Sequence, residues 1–214
     1  MKTALITGAS RGLGFAMGEA LSKTHHIIAV ARTIGGLEEL DDAIQAQGGT
    51  ATLAPLDLSD PSGTANLCAA LFDEFGGVDL WVHTAVHAPP LAPVNHIDPK
   101  DFAKSIAMMA TTTADLIYKI DPLLRPKNGT AAYMQDARLG EKFFGSYASA
   151  KQAEEALFQA WQAECEHIGP NIRALKPNPM ATALRARFFP GEDRSTLATP
   201  QDETARLTAE LLGG

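Results

Sequence analysis

The chain has 214 residues, of which 45% are hydrophobic and 20% charged, with a formal net charge of −7. That length allows a core burying roughly 70% of the unfolded surface, the composition excludes a disordered chain, and the acidity argues against nucleic acid, which needs a Lys/Arg surplus on one face. No apolar run approaches the roughly 20 residues of a membrane helix, and the start turns glycine-rich too soon for a signal peptide, so the expectation is a cytoplasmic protein, away from membranes, with one domain over residues 1–214.

Lys2 to Thr7 is a compact apolar run ending at Gly8, the pattern of a buried strand. Leu13 to Lys23 has helical periodicity, and His26 to Ala31 reads as a second strand. Leu37 to Gln47 reads as a helix stopped by Gly48-Gly49, and Thr50 to Leu56 as a third strand. Ser59-Asp60-Pro61 supplies a cap and an early proline for a helix that Gly76-Gly77 ends. Val78 to Val82 is a fourth strand, followed by a loop carrying Pro89, Pro90 and Pro93. Asp98 and Pro99 open a long helix to about Leu124, and Thr130 to Met134 is a fifth strand. A helix from Ser146 to about His167 leads to a sixth strand, Ile172 to Lys176. Ala181 to Thr199 reads as irregular, and Pro200 to Leu212 as the last helix.

Near-continuous apolar strands alternating with helices imply a parallel sheet covered on both faces. The expected fold class is therefore α/β, a Rossmann-type doubly wound parallel sheet of six strands. The two cysteines, Cys68 and Cys165, sit in apolar helical surroundings and read as core packing. The scattered histidines show no metal-ligand spacing.

Between the first strand and first helix lies Thr7-Gly8-Ala9-Ser10-Arg11-Gly12-Leu13-Gly14. In that context Gly8 permits a tight turn, Gly12 lets a pyrophosphate approach the backbone, and Gly14 lets helix and strand pack closely. The exposed amides and helix dipole would attract the phosphates of a dinucleotide. The spacing T-G-x-x-x-G-x-G resembles the short-chain dehydrogenase/reductase family. Asp57-Leu58 after the third strand, Tyr147 and Lys151 as Y-x-x-x-K, and Pro177 to Thr182 beyond the sixth strand extend the resemblance over roughly residues 1 to 182.

Several roles follow from that resemblance. Ser10, Arg11, Gly12, Leu13, Asp57, Leu58, Ala85, Pro177 and Thr182 would contact the cofactor, together with Gly8 and Gly14. An NAD site needs a carboxylate at the end of the second strand for the ribose 2′-OH. Here Val30-Ala31-Arg32-Thr33 offers no acid, and Arg11 with Arg32 would instead bind a 2′-phosphate, which selects NADP(H). Tyr147 and Lys151 share a helix face. The ammonium and the nicotinamide would favour the phenolate, making Tyr147 the acid/base and Lys151 a ribose ligand.

The resemblance fails at two places. The family's Ser on the fifth strand has three candidate positions here, Met134, Gln135 and Asp136, and the short following loop favours Asp136. An ionised Asp cannot donate to a carbonyl and would repel developing negative charge. The family's Asn aligns with Met109, which relays no proton. The family's N-N-A-G run reads His83-Thr84-Ala85-Val86, where Val86 crowds the cofactor side and His83 is either a proton relay or a hydrogen-bonded core residue. Leu184, Phe188 and Phe189 are either pocket wall or ordinary packing. The seventh strand of the family has no counterpart.

Two functions stand open: an NADPH-dependent oxidoreductase acting on a small carbonyl or alcohol, or a catalytically impaired module that only holds NADP(H). Another enzyme class on the same scaffold is a third reading, since fold alone does not fix chemistry. Helices near Ile106–Leu124 and Tyr147–His167 would pair copies into a homodimer or homotetramer, as the resemblance implies.

Overall fold

The computed structural model describes residues 1–136 and 138–213. Six parallel strands form one sheet: β1 (Lys2–Thr7), β2 (His25–Ala31), β3 (Ala51–Pro55), β4 (Leu80–His83), β5 (Thr130–Met134) and β6 (Asn171–Leu175). Their spatial order is β3-β2-β1-β4-β5-β6, so the chain reverses direction across the sheet between β1 and β4. At such a switch point the connections diverge and leave a crevice beyond the carboxyl ends of the strands. This is the Rossmann-type architecture expected from the sequence.

Period-two alternation divides each strand between two cores. Ala4, Ile6, Ile27 and Ala29 face one side. They meet Met17 and Leu21 of α1 (Gly12–Leu21), Leu37, Leu40 and Ile44 of α2 (Ile34–Ala46), and Leu207 and Leu211 of the C-terminal helix. Leu5, Ile28, Val30, Trp81 and Tyr133 face the other side. There they meet α3 (Pro61–Phe75), the helical segment ending at Leu124, and a helix carrying Phe158 and Trp161. Tyr133 stacks on Phe158 with ring centroids 4.4 Å apart. Cys165 is buried in this layer and Cys68 only half-buried against it, and both are free thiols.

Three elements depart from the sequence reading. α2 begins at Ile34, three residues before the expected Leu37, because Gly35-Gly36 weakens the helical signal. Packing requires that glycine: a Cβ on Gly36 would lie 2.5 Å from the Ser10 carbonyl oxygen. The long helix expected from Pro99 to Leu124 is divided into α4 (Pro99–Ile106), a wider π turn over Ala107–Thr111, and α5 (Thr112–Leu124). The Thr112 hydroxyl donates to the Ala107 carbonyl at 3.0 Å inside that turn. After α6 (Gly145–Cys165), the supposedly irregular stretch contains a short helix, α7 (Ala183–Phe188). The Thr182 side chain caps it by accepting from the Arg185 amide at 3.2 Å. The last helix, α8 (Pro200–Leu212), opens with a reciprocal Thr199/Asp202 capping box. No helix among the described residues is long and apolar enough to cross a membrane.

Candidate active site

The glycine loop turns from β1 into α1 at the crevice. Gly8 has φ +91°, and a Cβ there would lie 2.7 Å from the Ala85 amide nitrogen. A Cβ on Gly14 would lie 2.3 Å from the Gly8 carbonyl oxygen and 2.4 Å from Thr84 Oγ1. Thus Gly8 admits the β4 loop and Gly14 admits the loop itself. The Gly8 and Ala9 amides both donate to the Val30 carbonyl, which fixes the turn. Arg11 occupies the N-cap of α1 without a side-chain cap, whereas Asp60, Asp98, Thr182 and Thr199 cap their own helices. The first amides of α1 therefore face the crevice without a protein acceptor from the capping position. A Cβ on Gly12 would sit 3.5 Å from the Thr182 methyl, which places Thr182 on the opposite lip.

Arg11 and Arg32 are both exposed at this end. Asp57 takes the Ser59 amide at 3.0 Å and hydroxyl at 2.8 Å, and the backbone hydrogen bond leads in holding its carboxyl below the usual range. Arg32 adds to that effect from nearby. Leu58 is half-buried against the second core, and Pro177 is partly exposed after β6.

Tyr147 and Lys151 lie one turn apart on α6. Tyr147 is only 1% exposed, with Phe188 edge-on at 4.9 Å and Phe144 at 6.3 Å between centroids. Met109, Ile106, Leu184 and Phe189 complete this apolar cluster. Phe188 thus packs edge-on against the candidate tyrosine, with Phe189 beside Phe144 and Leu184 in the same cluster. Of the three candidates near the end of β5, Asp136 meets the phenol: Tyr147 Oη donates to Asp136 Oδ2 at 2.9 Å. Met134 instead points into the core with Ala132 and Leu175. Burial first, and then the Asp136 carboxylate, push the Tyr147 phenol well above its ordinary pKa. The phenolate expected from the sequence is therefore disfavoured in the protein alone.

Lys151 explains part of that result. Its Nζ donates to Glu154 Oε1 at 2.6 Å, and the two side chains are 5% and 0% exposed. Glu154 Oε2 is buried with no partner. Desolvation raises the Glu154 carboxyl above its usual range, opposed by Lys151. The ammonium is spent on a carboxylate beside it on the helix, and Glu154 also raises the Tyr147 phenol.

His83 resolves as a core residue. Its Nδ1 lies 2.8 Å from Thr7 Oγ1 and its Nε2 3.3 Å from Thr113 Oγ1, and Trp81 Nε1 donates to the same Thr7 oxygen at 3.1 Å. Burial, with a smaller contribution from the Lys151 charge, lowers its pKa to about 3. The imidazole is buried and boxed by Thr7 and Thr113.

A family model for short chain dehydrogenases matches residues 2–193. The chain belongs to the short-chain dehydrogenase family. An oxidoreductase of Mycobacterium tuberculosis, described as uncharacterised, is 29% identical over 180 residues, covering 80% of this chain and 52% of the relative. The chain thus spans about half the length of that relative. A Pseudomonas syringae protein assigned as a short chain dehydrogenase superposes with a TM-score of 0.89 at 27% identity, covering 94% of this chain and 85% of its own. An Escherichia coli member solved with NADPH superposes at 0.85 and 24% identity, covering 94% and 86%.

Three charged residues at this site, Arg138, Arg185 and Glu154, escaped the sequence reading. Arg138 Nε lies 3.1 Å from Asp136 Oδ1, its Nη1 donates to Glu141 at 3.1 Å, and its guanidinium stands 5.4 Å and 5.3 Å from the Phe144 and Phe189 ring centroids. The Arg185 guanidinium stands 4.1 Å from the Phe189 centroid and binds Glu192 by two hydrogen bonds of 2.7 Å and 2.6 Å. A charged residue in the loop beyond a strand's carboxyl end was the available signal for Arg138. Glu154 was legible as an i,i+3 partner of Lys151, although its burial was not.

Proposed function

We propose that this chain is an NADP(H)-dependent oxidoreductase that interconverts a small carbonyl compound and its alcohol, with Tyr147 handling the substrate proton. The observation carrying the reading is the placement of the Tyr147 hydroxyl. It lies in an apolar cluster with Phe144 and Phe188, on the helix that follows β5, and β1 delivers the glycine loop at the carboxyl ends of the same parallel sheet. The residues fit a dinucleotide: the cradle leaves no room for a Cβ at Gly8 or Gly14, and the first turn of α1 is uncapped. Gly8 to Gly14 would hold the pyrophosphate, with Ala85 and Thr182 on the facing walls. Asp57 and Leu58 would flank the adenine, and Pro177 the far side of the nicotinamide. Arg11 and Arg32 would select the 2′-phosphate, in keeping with the NADPH-bound fold neighbour. When bound, the reduced cofactor supplies a hydride.

Tyr147 then acts chiefly as a general acid. Its raised pKa keeps the proton on the phenol, which suits donation to a carbonyl oxygen and opposes proton removal from an alcohol. Phe188 and Phe144 exclude water around it. Lys151 would bind the nicotinamide ribose by turning one N–H away from Glu154, its hydrogen-bond partner in the buried site. Asp136 orients the hydroxyl. We further propose that residues 1–214 act as one domain in the cytoplasm and pair through α5 and α6, where Tyr118 on α5 and Ile168 just beyond α6 are exposed.

A second reading, a module that holds NADP(H) without turnover, is favoured by the burial of Tyr147 and the engagement of Lys151 by Glu154. One experiment separates the two. Purified protein is titrated with NADPH and NADH, then incubated with NADPH and a panel of aldehydes and ketones beside Tyr147→Phe. NADPH-selective binding and turnover lost in the variant support the enzyme. NADPH binding with no turnover supports the module, and tighter NADH binding overturns the cofactor assignment.

A further inference from the structure

The carboxylate at the candidate site is more accessible than the phenol it holds. Tyr147 is buried at 1% exposure, whereas the Asp136 side chain is 29% exposed. The carboxylate is thus partly open to solvent where the phenol is not. Asp136 Oδ2 takes the Tyr147 hydroxyl at 2.9 Å, and Oδ1 lies 3.1 Å from Arg138 Nε in an ion pair in which that nitrogen makes no hydrogen bond. The backbone below is fixed too, since the Asp136 amide donates to Glu155 Oε1 at 3.1 Å. Held this way, Asp136 accepts hydrogen bonds and donates none.

Such a group is poorly matched to a carbonyl, whose oxygen gains negative charge as hydride arrives. It is well matched to a substrate that begins positive and ends neutral. The neighbouring rings point the same way. Phe144 and Phe189 already carry the Arg138 and Arg185 guanidinium groups near their faces. Positive charge is thus already accommodated beside these rings and the carboxylate.

Resting on the hydride-transfer reading above, we infer that Asp136 selects protonated C=N compounds, so that the preferred substrate class is an iminium ion reduced to an amine. The balance is simple. The iminium carbon gains a hydride from the reduced nicotinamide, and the C=N π pair becomes the nitrogen lone pair. The substrate loses one positive charge as the dinucleotide gains one. No proton has to leave Tyr147. One lone pair of Oδ2 remains for the iminium N–H beside the tyrosine's hydrogen bond.

The test compares dihydroisoquinoline, protonated to its iminium ion, with tetralone, a ketone of the same ring size. Two readouts are taken: NADPH-dependent kcat/KM, and the affinity of NADP+-loaded protein for tetrahydroisoquinolinium against tetralol. A charge-assisted bond makes the cation preferred by at least about tenfold in both. Asp136→Asn removes the preference, and Asp136→Ser reverses it by restoring a donor. Equal or better handling of tetralone, or a preference that survives in Asp136→Asn, overturns the inference and leaves the carbonyl reading standing. If neither compound turns over while NADPH binds, that reading fails, and the ammonium-over-alcohol affinity still decides: its presence supports cation selection and its absence overturns it. A protein that binds no NADPH sinks both.

Discussion

His83 makes acid lability a direct readout of the fold beneath the site. Burial holds its folded pKa at about 3, while an unfolded imidazole titrates near its ordinary value. Between those two values the unfolded chain binds more protons than the folded one, so stability rises with pH there. The contribution is complete above the unfolded pKa and is lost as pH falls toward the folded one. Moving from pH 7 to pH 5 protonates the unfolded imidazole almost fully and the buried one hardly at all, a loss of about 2 kcal/mol from this residue. Urea unfolding at both pH values measures it, with His83→Gln as the control. Gln keeps an amide for Thr7 and Thr113 but has no proton to bind. His25, His26 and His87 also sit below their ordinary pKa and titrate in both proteins. The wild-type protein should therefore lose about 2 kcal/mol more than the variant over this interval. An identical loss in the two proteins would refute the argument. So would ring resonances of His83 that titrate near neutrality in the native state, a result obtainable even if the variant folds poorly.

Gly14→Ala should abolish NADPH binding in a calorimetric titration, because its Cβ must displace the Gly8 carbonyl from 2.3 Å. Arg32→Ala and Arg11→Ala should each weaken NADPH by about tenfold or more through loss of a charge-assisted bond, with NADH affinity nearly unchanged. Glu154→Leu strands the Lys151 ammonium in the core and should cost about 3–5 kcal/mol in denaturant unfolding, most of it recovered in the Lys151→Met/Glu154→Leu double variant. Tyr147→Phe removes the bond to Asp136 and should eliminate carbonyl reduction while NADPH still binds, as followed by cofactor absorbance.

All six strands and their parallel arrangement were legible because each is an apolar run punctuated by glycine or proline, with a longer amphipathic stretch between. The glycine loop was equally plain, since its spacing between a strand and a helix has few other uses. The π turn at Ala107–Thr111 was not, because one extra residue in a turn leaves the helical period almost intact. The short helix Ala183–Phe188 was missed because six residues carry too little periodicity to stand out, although its Thr182 cap was present. Counting along the chain left the Ser position ambiguous among three residues, and the geometry at the end of β5 brought Asp136 to the phenol.

The order of residues determined which chemistry was available: a phosphate loop, two arginines, a tyrosine and a lysine four apart. Those are local patterns, set by spacing along one strand or helix. Only the packed structure decided their electrical state. Lys151 found Glu154 rather than the phenol, Tyr147 was sealed beneath Phe188, and Asp136 and Arg138 met across the pocket floor. Charge and solvent exposure depend on which side chains turn toward one another and how deeply packing buries them, even between near neighbours in the chain, and a protein interior strengthens those interactions because water no longer screens them.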